Sequence, residues 1–365
     1  MKKFSILLMF VVALMSLASC GGASKKNAEA QQCEHKGQCL PVGLQLYSVR
    51  DDMAKDFKGT LEQVKAMGYD GVEFAGLFDN SPADIKAMCA EIGLNPISAH
   101  VPLADMLADV DKVIADYKTI GCQYIVVPYV TEERRPGGEK FNQMIEEIRS
   151  IGQKCKEAGL ILLYHNHDFE FAKTETGELG LDYLYANIPA DLLQTELDEC
   201  WVKYAGQDPV EYLKKYEGRS PVVHLKDYYA SGEQKEDPYA LIGLNEGEKK
   251  ENKAFEFRPL GYGVQDVKAL MKAAKHAGSQ WVIVEQDQPS MGKTPLECVA
   301  MSLETIQAIR QECASKHAEG KKCEGEKASC DHKHNEKCSG EHKTCEGEKK
   351  EVCDHKHGEG CDHKH

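Results

Sequence analysis

Leu160-Ile161-Leu162-Leu163-Tyr164-His165-Asn166-His167-Asp168 begins as an unbroken apolar run and turns polar at its end. A short run of that kind, apolar at every position, reads as a strand buried on both faces, as in a parallel sheet covered by helices. Side chains alternate along a strand, so His165 and His167 share one face. The same design recurs downstream. Val222-Val223 precedes His224 and Lys226, and Val282-Ile283-Val284 precedes Glu285 and Asp287. Between them, Glu196 and Asp198 share a face of a further candidate strand.

Working outward, strand candidates fall at 42–50, 71–75, 96–102, 124–129, 160–168, 193–201, 222–227 and 281–288. Amphipathic segments separate them. In 59–67, Leu61, Val64 and Met67 fall on one side and Gly68 follows as a stop; in 141–159, Met144, Ile145, Ile148 and Ile151 form the apolar stripe. Eight strands alternating with helices over residues 40–313 predict an α/β fold, a closed (β/α)8 (TIM) barrel. The rival is an open doubly wound sheet, which usually carries a glycine-rich phosphate loop after its first strand; none follows Arg50. In a barrel, the face where these strands turn polar is the one that carries active sites.

The ends differ from the middle. Residues 1–19 read as a signal peptide: Lys2 and Lys3, then an apolar stretch too short for an ordinary membrane span. Leu17-Ala18-Ser19-Cys20 resembles a bacterial lipoprotein processing box, which implies cleavage before Cys20 and lipid attachment there. Residues 20–39 read as a flexible tether carrying Cys33-Glu34-His35. The expected location is the cell envelope, with the body tethered to a membrane and facing the periplasm.

After the seventh strand a charged, Gly-rich connection runs from Tyr228 to about Arg258, either a lid over the active face or a surface insertion. From Ala314 the chain has one large aliphatic residue, Val352, and no aromatics, so no core is expected there. This tail repeats Cys-Asp-His-Lys-His at Cys330, Cys353 and Cys361, a composition suited to extra metal ions.

Of the 15 cysteines, six lie in this tail and one in the processing box, so the body is not cysteine-rich. In an oxidising compartment some could pair, in an order that sequence does not give. Net charge is −14, which argues against nucleic acid as a partner.

Carboxylates and imidazoles gathered inside a barrel are costly to bury, and a shared cation removes much of that cost. Four convergent donors of mixed O and N type suit one divalent Mn²⁺, Zn²⁺, Co²⁺ or Fe²⁺ better than Ca²⁺.

Several motifs then carry a resemblance. Gly43-Leu44-Gln45-Leu46-Tyr47-Ser48-Val49-Arg50, Gly68-Tyr69-Asp70-Gly71-Val72-Glu73 and Ser98-Ala99-His100 are similar to the first three strands of the xylose isomerase-like sugar-phosphate isomerase/epimerase superfamily. Tyr164-His165-Asn166-His167-Asp168 is similar to the fifth strand of an exported branch. Val223-His224-Leu225-Lys226-Asp227 and Pro259-Leu260-Gly261-Tyr262-Gly263 resemble its seventh strand and the loop beyond.

The resemblance implies metal ligands at Asp198, His224 and Glu285, with His165 where many members have glutamate. It also implies a substrate pocket lined by Glu73, His100 and Lys226, joined by Gln45, Tyr47 and Arg50 from the first strand. Similar 3-epimerases move a proton with two glutamates, of which only Glu285 remains, so His100, His167 or Lys226 is expected to supply a second base.

The expected activity is proton removal next to the carbonyl of a sugar, unphosphorylated because the protein is expected to be exported. The alternatives are β-elimination of 3-keto-glycosides and a non-enzymatic metal-capturing lipoprotein with the tail as its working part. Apurinic endonucleases of the same superfamily need a three-metal cluster and a DNA-facing surface, which acidity and export oppose.

Overall fold

The computed structural model describes residues 39–231 and 255–330, with side chains described as far as Ser315. The signal peptide, Cys20, nearly all of the tether, the middle of the long connection and the tail repeats beyond Cys330 lie outside the described residues. No described helix is long and apolar enough to cross a membrane.

The strands are β1 Val42–Gln45, β2 Gly71–Phe74, β3 Asn95–His100, β4 Tyr124–Val127, β5 Ile161–His165, β6 Gln194–Asp198, β7 Val222–Leu225, β8 Asp227–Ala230, β9 Phe255–Arg258 and β10 Trp281–Val284. Eight of them close a parallel barrel in the order β1-β10-β7-β6-β5-β4-β3-β2, and β8 and β9 form a separate pair. The helices are α1 Arg50–Lys55, α2 Phe57–Met67, α3 Pro82–Ile92, α4 Leu103–Ile120, α5 Phe141–Glu157, α6 Gly180–Asn187, α7 Glu199–Tyr204, α8 Pro209–Lys215, α9 Val267–His276 and α10 Pro295–Cys330. The fold is the expected (β/α)8 barrel.

Three details depart from the sequence reading. Most barrel strands are shorter than expected, because the ladder stops where barrel strands splay into βα loops; Lys226, Glu285 and His167 therefore stand just beyond strand ends. The long connection is not all loop. Its two ends pair antiparallel, Tyr228 opposite Phe257 and Ala230 opposite Phe255. Finally, α10 continues beyond Cys313 to Cys330 through a stretch rich in the helix formers Ala, Glu and Lys. The chain divides into two units, Met1–Cys313 and Ala314–His365.

The barrel interior is stratified. Ile97, Tyr124, Val126, Leu163, Val222 and Ile283 pack as an apolar plug. Gln45, Glu73, Ser98, Glu196 and His224 are buried polar residues one step further along the strands. Register produces this layering: Gln45 pairs with Glu73, Glu73 with Ser98, His165 with Glu196 and Asp198 with His224. A register shift between β2 and β3 at Val72/Glu73 gives β3 an extra residue, so Ile97 joins the plug while Ser98 and His100 still reach Glu73.

Outside the barrel, helices bury their apolar stripes on the strands. In α5 the buried side is Phe141, Met144, Ile145, Ile148, Ile151, Gly152 and Cys155. Gly152 belongs there because a Cβ would lie 2.2 Å from the carbonyl oxygen of Leu192, which is backbone and cannot swing aside. Gly152→Ala is expected to lower the unfolding free energy by about 1–3 kcal/mol through overpacking, outweighing the ~1 kcal/mol that Ala gains in helix propensity. Urea unfolding monitored by circular dichroism, with a lower midpoint at unchanged slope, checks this.

Candidate metal centre and active site

Four side chains meet at the C-terminal mouth of the barrel. His165 ends β5, Asp198 ends β6, His224 lies in β7 and Glu285 follows β10. Each offers one ligand atom, and these atoms all lie within 4.8 Å of one another. His165 Nε2 is 3.5 Å from Asp198 Oδ2 and 4.0 Å from Glu285 Oε2, and His224 Nδ1 is 3.1 Å from Glu285 Oε2. All four residues are buried.

The donor set fits a divalent cation. Asp198 Oδ1 caps α7, accepting from the backbone N–H groups of Cys200 and Trp201 at 2.8 and 3.2 Å. Asp198 Oδ2 is buried, has no hydrogen-bond partner among the described residues and points into the cluster. Burial pushes this carboxyl up to about 7. A desolvated carboxylate oxygen beside two imidazoles and a second carboxylate is what a cation compensates.

Lys226 stands next to the cluster. Its Nζ is 3.0 Å from Glu285 Oε2, 2.6 Å from Asp287 Oδ2 and 3.7 Å from Asp198 Oδ2. Burial alone would lower the lysine, but the charges of Asp287, Glu285 and Asp198 hold it well above its usual range, so it is a cation and a hydrogen-bond donor rather than a base. Its ammonium lies 5.4 Å from the centre of the Trp201 ring and 5.1 Å from that of Phe257.

An aromatic wall continues from there. Phe255 stacks on Trp201 at 6.1 Å, and His167 stacks on Phe169 at 5.2 Å with Tyr129 edge-on at 5.3 Å. Burial, reinforced by the nearby charge of Lys226, lowers His167 well below its usual range and keeps it neutral.

Beneath the four ligand atoms lies a polar floor. Glu73 accepts from Gln45 Nε2 at 2.6 Å and from Ser98 Oγ at 2.5 Å, and its Oε1 is 3.0 Å from His100 Nε2. Glu196 Oε1 is 2.7 Å from His100 Nε2. Burial alone would lower His100, but Glu73 and Glu196 raise it to about 10, so it is cationic at neutral pH. Gln45 and Glu73 are fully buried and satisfied within this floor. Tyr47 and Arg50 are half-buried beside Asp287: the Arg50 guanidinium lies 4.1 Å over the Tyr47 ring and donates to the backbone oxygen of Asp287 at 2.8 Å.

The loop after β9 is pinned by one carboxylate. Asp227 accepts from the backbone N–H groups of Tyr228, Gly261, Gly263, Val264 and Gln265 at 2.9–3.0 Å. Gly263 is required for this, since a Cβ there would lie 2.2 Å from Asp227 Oδ1.

The model of the xylose isomerase-like TIM barrel family matches residues 61–308. The chain belongs to this family. None of the curated protein sequences matches it. A sugar phosphate isomerase/epimerase from Parabacteroides distasonis ATCC 8503 is similar in structure, with TM-score 0.58, 22% identity, and coverage of 74% of this chain and 94% of that one. The IolI protein with a bound zinc atom superposes with TM-score 0.55 at 17% identity over 74% of this chain and 98% of its own. An L-ribulose 3-epimerase does so with TM-score 0.55 at 15% identity over 77% and 97%.

Within this family frame, the sequence motifs name the four converging residues and Lys226, but they leave out other parts of the site. Glu196 was placed on the face of Asp198 without a role; its spacing of two residues from Asp198 was the available signal. Trp201 and the β9 aromatics were missed as a wall, although Phe255-Glu256-Phe257-Arg258 alternates with strand period. Glu170 was missed too. It accepts from Tyr164 Oη at 2.7 Å and from the His167 backbone N–H at 2.8 Å, and burial pushes its carboxyl up to about 8.

A folded-state pKa raised from 4.5 to about 8 means that Glu170's contribution to stability is full below about pH 4.5 and is lost as pH rises through 8. Over that window its slope approaches about 1.4 kcal/mol per pH unit. Urea unfolding from pH 5 to 9 is expected to show a steeper fall in the wild type than in Glu170→Gln, the difference between the two being the contribution of Glu170.

Proposed function

We propose that the protein is a divalent-metal-dependent sugar isomerase or epimerase that removes a proton next to the carbonyl of an unphosphorylated sugar. The observation that carries this reading is the convergence of His165 Nε2, Asp198 Oδ2, His224 Nδ1 and Glu285 Oε2 at the mouth of the barrel. Two nitrogen and two oxygen donors favour Mn²⁺, Zn²⁺, Co²⁺ or Fe²⁺. A cation held by these four residues supplies Lewis-acid polarisation of a carbonyl and its neighbouring hydroxyl.

The chain's own groups divide the remaining work. Lys226, kept cationic by Asp287 and Glu285, places positive charge where an oxygen of the substrate gains negative charge. Glu285 and the neutral His167 are the proton acceptors next to the cluster. His100, held as a cation by Glu73 and Glu196, is set aside as a base. Trp201, Phe257 and Phe169 give an apolar wall that excludes water and faces a sugar ring. Similar structures that include an L-ribulose 3-epimerase and a zinc-containing protein agree with this chemistry.

The signal-like N-terminus and Cys20 place the enzyme, on this reading, in the cell envelope on a lipid anchor, where free sugars rather than sugar phosphates are the available substrates. A second reading, β-elimination of 3-keto-glycosides, is favoured by His165: the side chain facing Glu285 at 4.0 Å is an imidazole, not a second carboxylate, and elimination needs only one base.

Metal-loaded protein incubated with free ketoses in deuterated water is expected to incorporate deuterium at the carbon next to the carbonyl. Glu285→Gln should lower kcat by about 10²-fold or more. Cleavage of 3-keto-glycosides without exchange into ketoses selects the second reading. No turnover of either class, with bound metal confirmed, refutes both.

A further inference from the structure

One oxygen, Glu196 Oε1, is the meeting point of three imidazoles. His100 Nε2 and His224 Nε2 both lie 2.7 Å from it, and His165 Nδ1 lies 3.1 Å away. Glu196 is in β6, two residues before Asp198, and is fully buried in the barrel floor. Its position below the four converging atoms keeps it from touching substrate.

The two imidazoles of the cluster turn opposite nitrogens towards this oxygen. His165 directs Nδ1 at Glu196 and Nε2 at Asp198 and Glu285. His224 directs Nε2 at Glu196 and Nδ1 at Glu285. A neutral imidazole carries one proton. A carboxylate that accepts it at one nitrogen leaves the lone pair on the other. We propose that Glu196 is a positioning residue that, together with Glu73, fixes the tautomers of both histidines: Glu196 Oε1 accepts Nδ1–H from His165, and Glu73 Oε1, with Glu196 Oε1 2.7 Å from the same nitrogen, accepts Nε2–H from His224, so that both lone pairs face the metal centre.

This inference rests on the metal-centre reading above. Glu73 braces the arrangement: its Oε1 lies 2.8 Å from His224 Nε2, and Gln45 and Ser98 hold the carboxylate in place. The rival is a cation in the floor itself, since His100, His165, Glu196 and His224 also bring ligand atoms within 4.8 Å of one another. The test separates the two.

Full-length wild type, Glu196→Leu and Glu196→Gln are titrated with Mn²⁺ and followed by electron paramagnetic resonance. The tail is common to all three, so differences report the barrel. Glu196→Leu is expected to bind one class of Mn²⁺ about 10–100-fold more weakly, with the number of sites unchanged. Glu196→Gln, whose carbonyl oxygen still accepts, should fall between. On the wild type alone, long-range ¹H–¹⁵N spectra of the zinc-loaded protein should show one barrel histidine protonated at Nδ1 and another at Nε2, a reading that does not depend on how the variants fold.

Unchanged affinity in Glu196→Leu, or both histidines in one tautomer, overturns the role of Glu196 and leaves the metal centre standing. Loss of one whole equivalent of Mn²⁺ makes Glu196 a ligand instead and overturns it likewise. Wild type that binds no more Mn²⁺ than an Asp198→Ala protein overturns the metal centre and this inference together.

Discussion

Asp198 Oδ2 and Glu285 Oε2 are carboxylate oxygens enclosed at the top of a barrel whose interior is otherwise plugged by Ile97, Tyr124, Val126, Leu163, Val222 and Ile283. Burying such charge without compensation costs several kcal/mol per ion. The surrounding structure supplies part of that compensation through Lys226, His224 and the helix N-terminus that Asp198 caps. What is left over is Asp198 Oδ2, buried without a hydrogen bond among the described residues, with His165 Nε2 at 3.5 Å and the Lys226 ammonium at 3.7 Å. The reading of the protein as a metal enzyme starts from that imbalance.

Two devices outside the barrel strands serve the same end. Asp227 gathers five backbone N–H groups and thereby locks the loop after β9 against the residue next to Lys226. The β8–β9 pair brings Phe255 and Phe257 against Trp201, so the lysine that neutralises the carboxylates sits against aromatic rings rather than water. The resulting low polarity strengthens each charge interaction in the site. The floor performs the matching task from below: Gln45 and Ser98 hold Glu73, and Glu73 and Glu196 receive the imidazoles of His224, His100 and His165.

How much of this was legible in the sequence depended on whether local pattern or long-range pairing decided it. The barrel was legible because each apolar run is short, buried and followed by an amphipathic helix. His165, His224 and Glu285 were legible because each follows such a run at the same height, and Asp198 because it shares a strand face with Glu196 between them. The tasks of Glu73 and Gln45 were not. Their types suit a substrate pocket, and only the register between β1, β2 and β3 shows their polar atoms spent on each other. Lys226 and His100 were read as bases; the carboxylates that keep them charged come from other strands, at separations no local pattern reports. The β8–β9 pair was hidden because its strands are separated in sequence by the charged, Gly-rich stretch that made the whole connection look like loop.

The most direct test of the central claim is anomalous X-ray diffraction from crystals grown with Mn²⁺ or Zn²⁺. The account predicts a peak bonded at about 2.0–2.2 Å to His165 Nε2, Asp198 Oδ2, His224 Nδ1 and Glu285 Oε2. A barrel mouth without a peak, with metal only on the Cys/His tail or only among His100, Glu196 and the opposite nitrogens of His165 and His224, would contradict it.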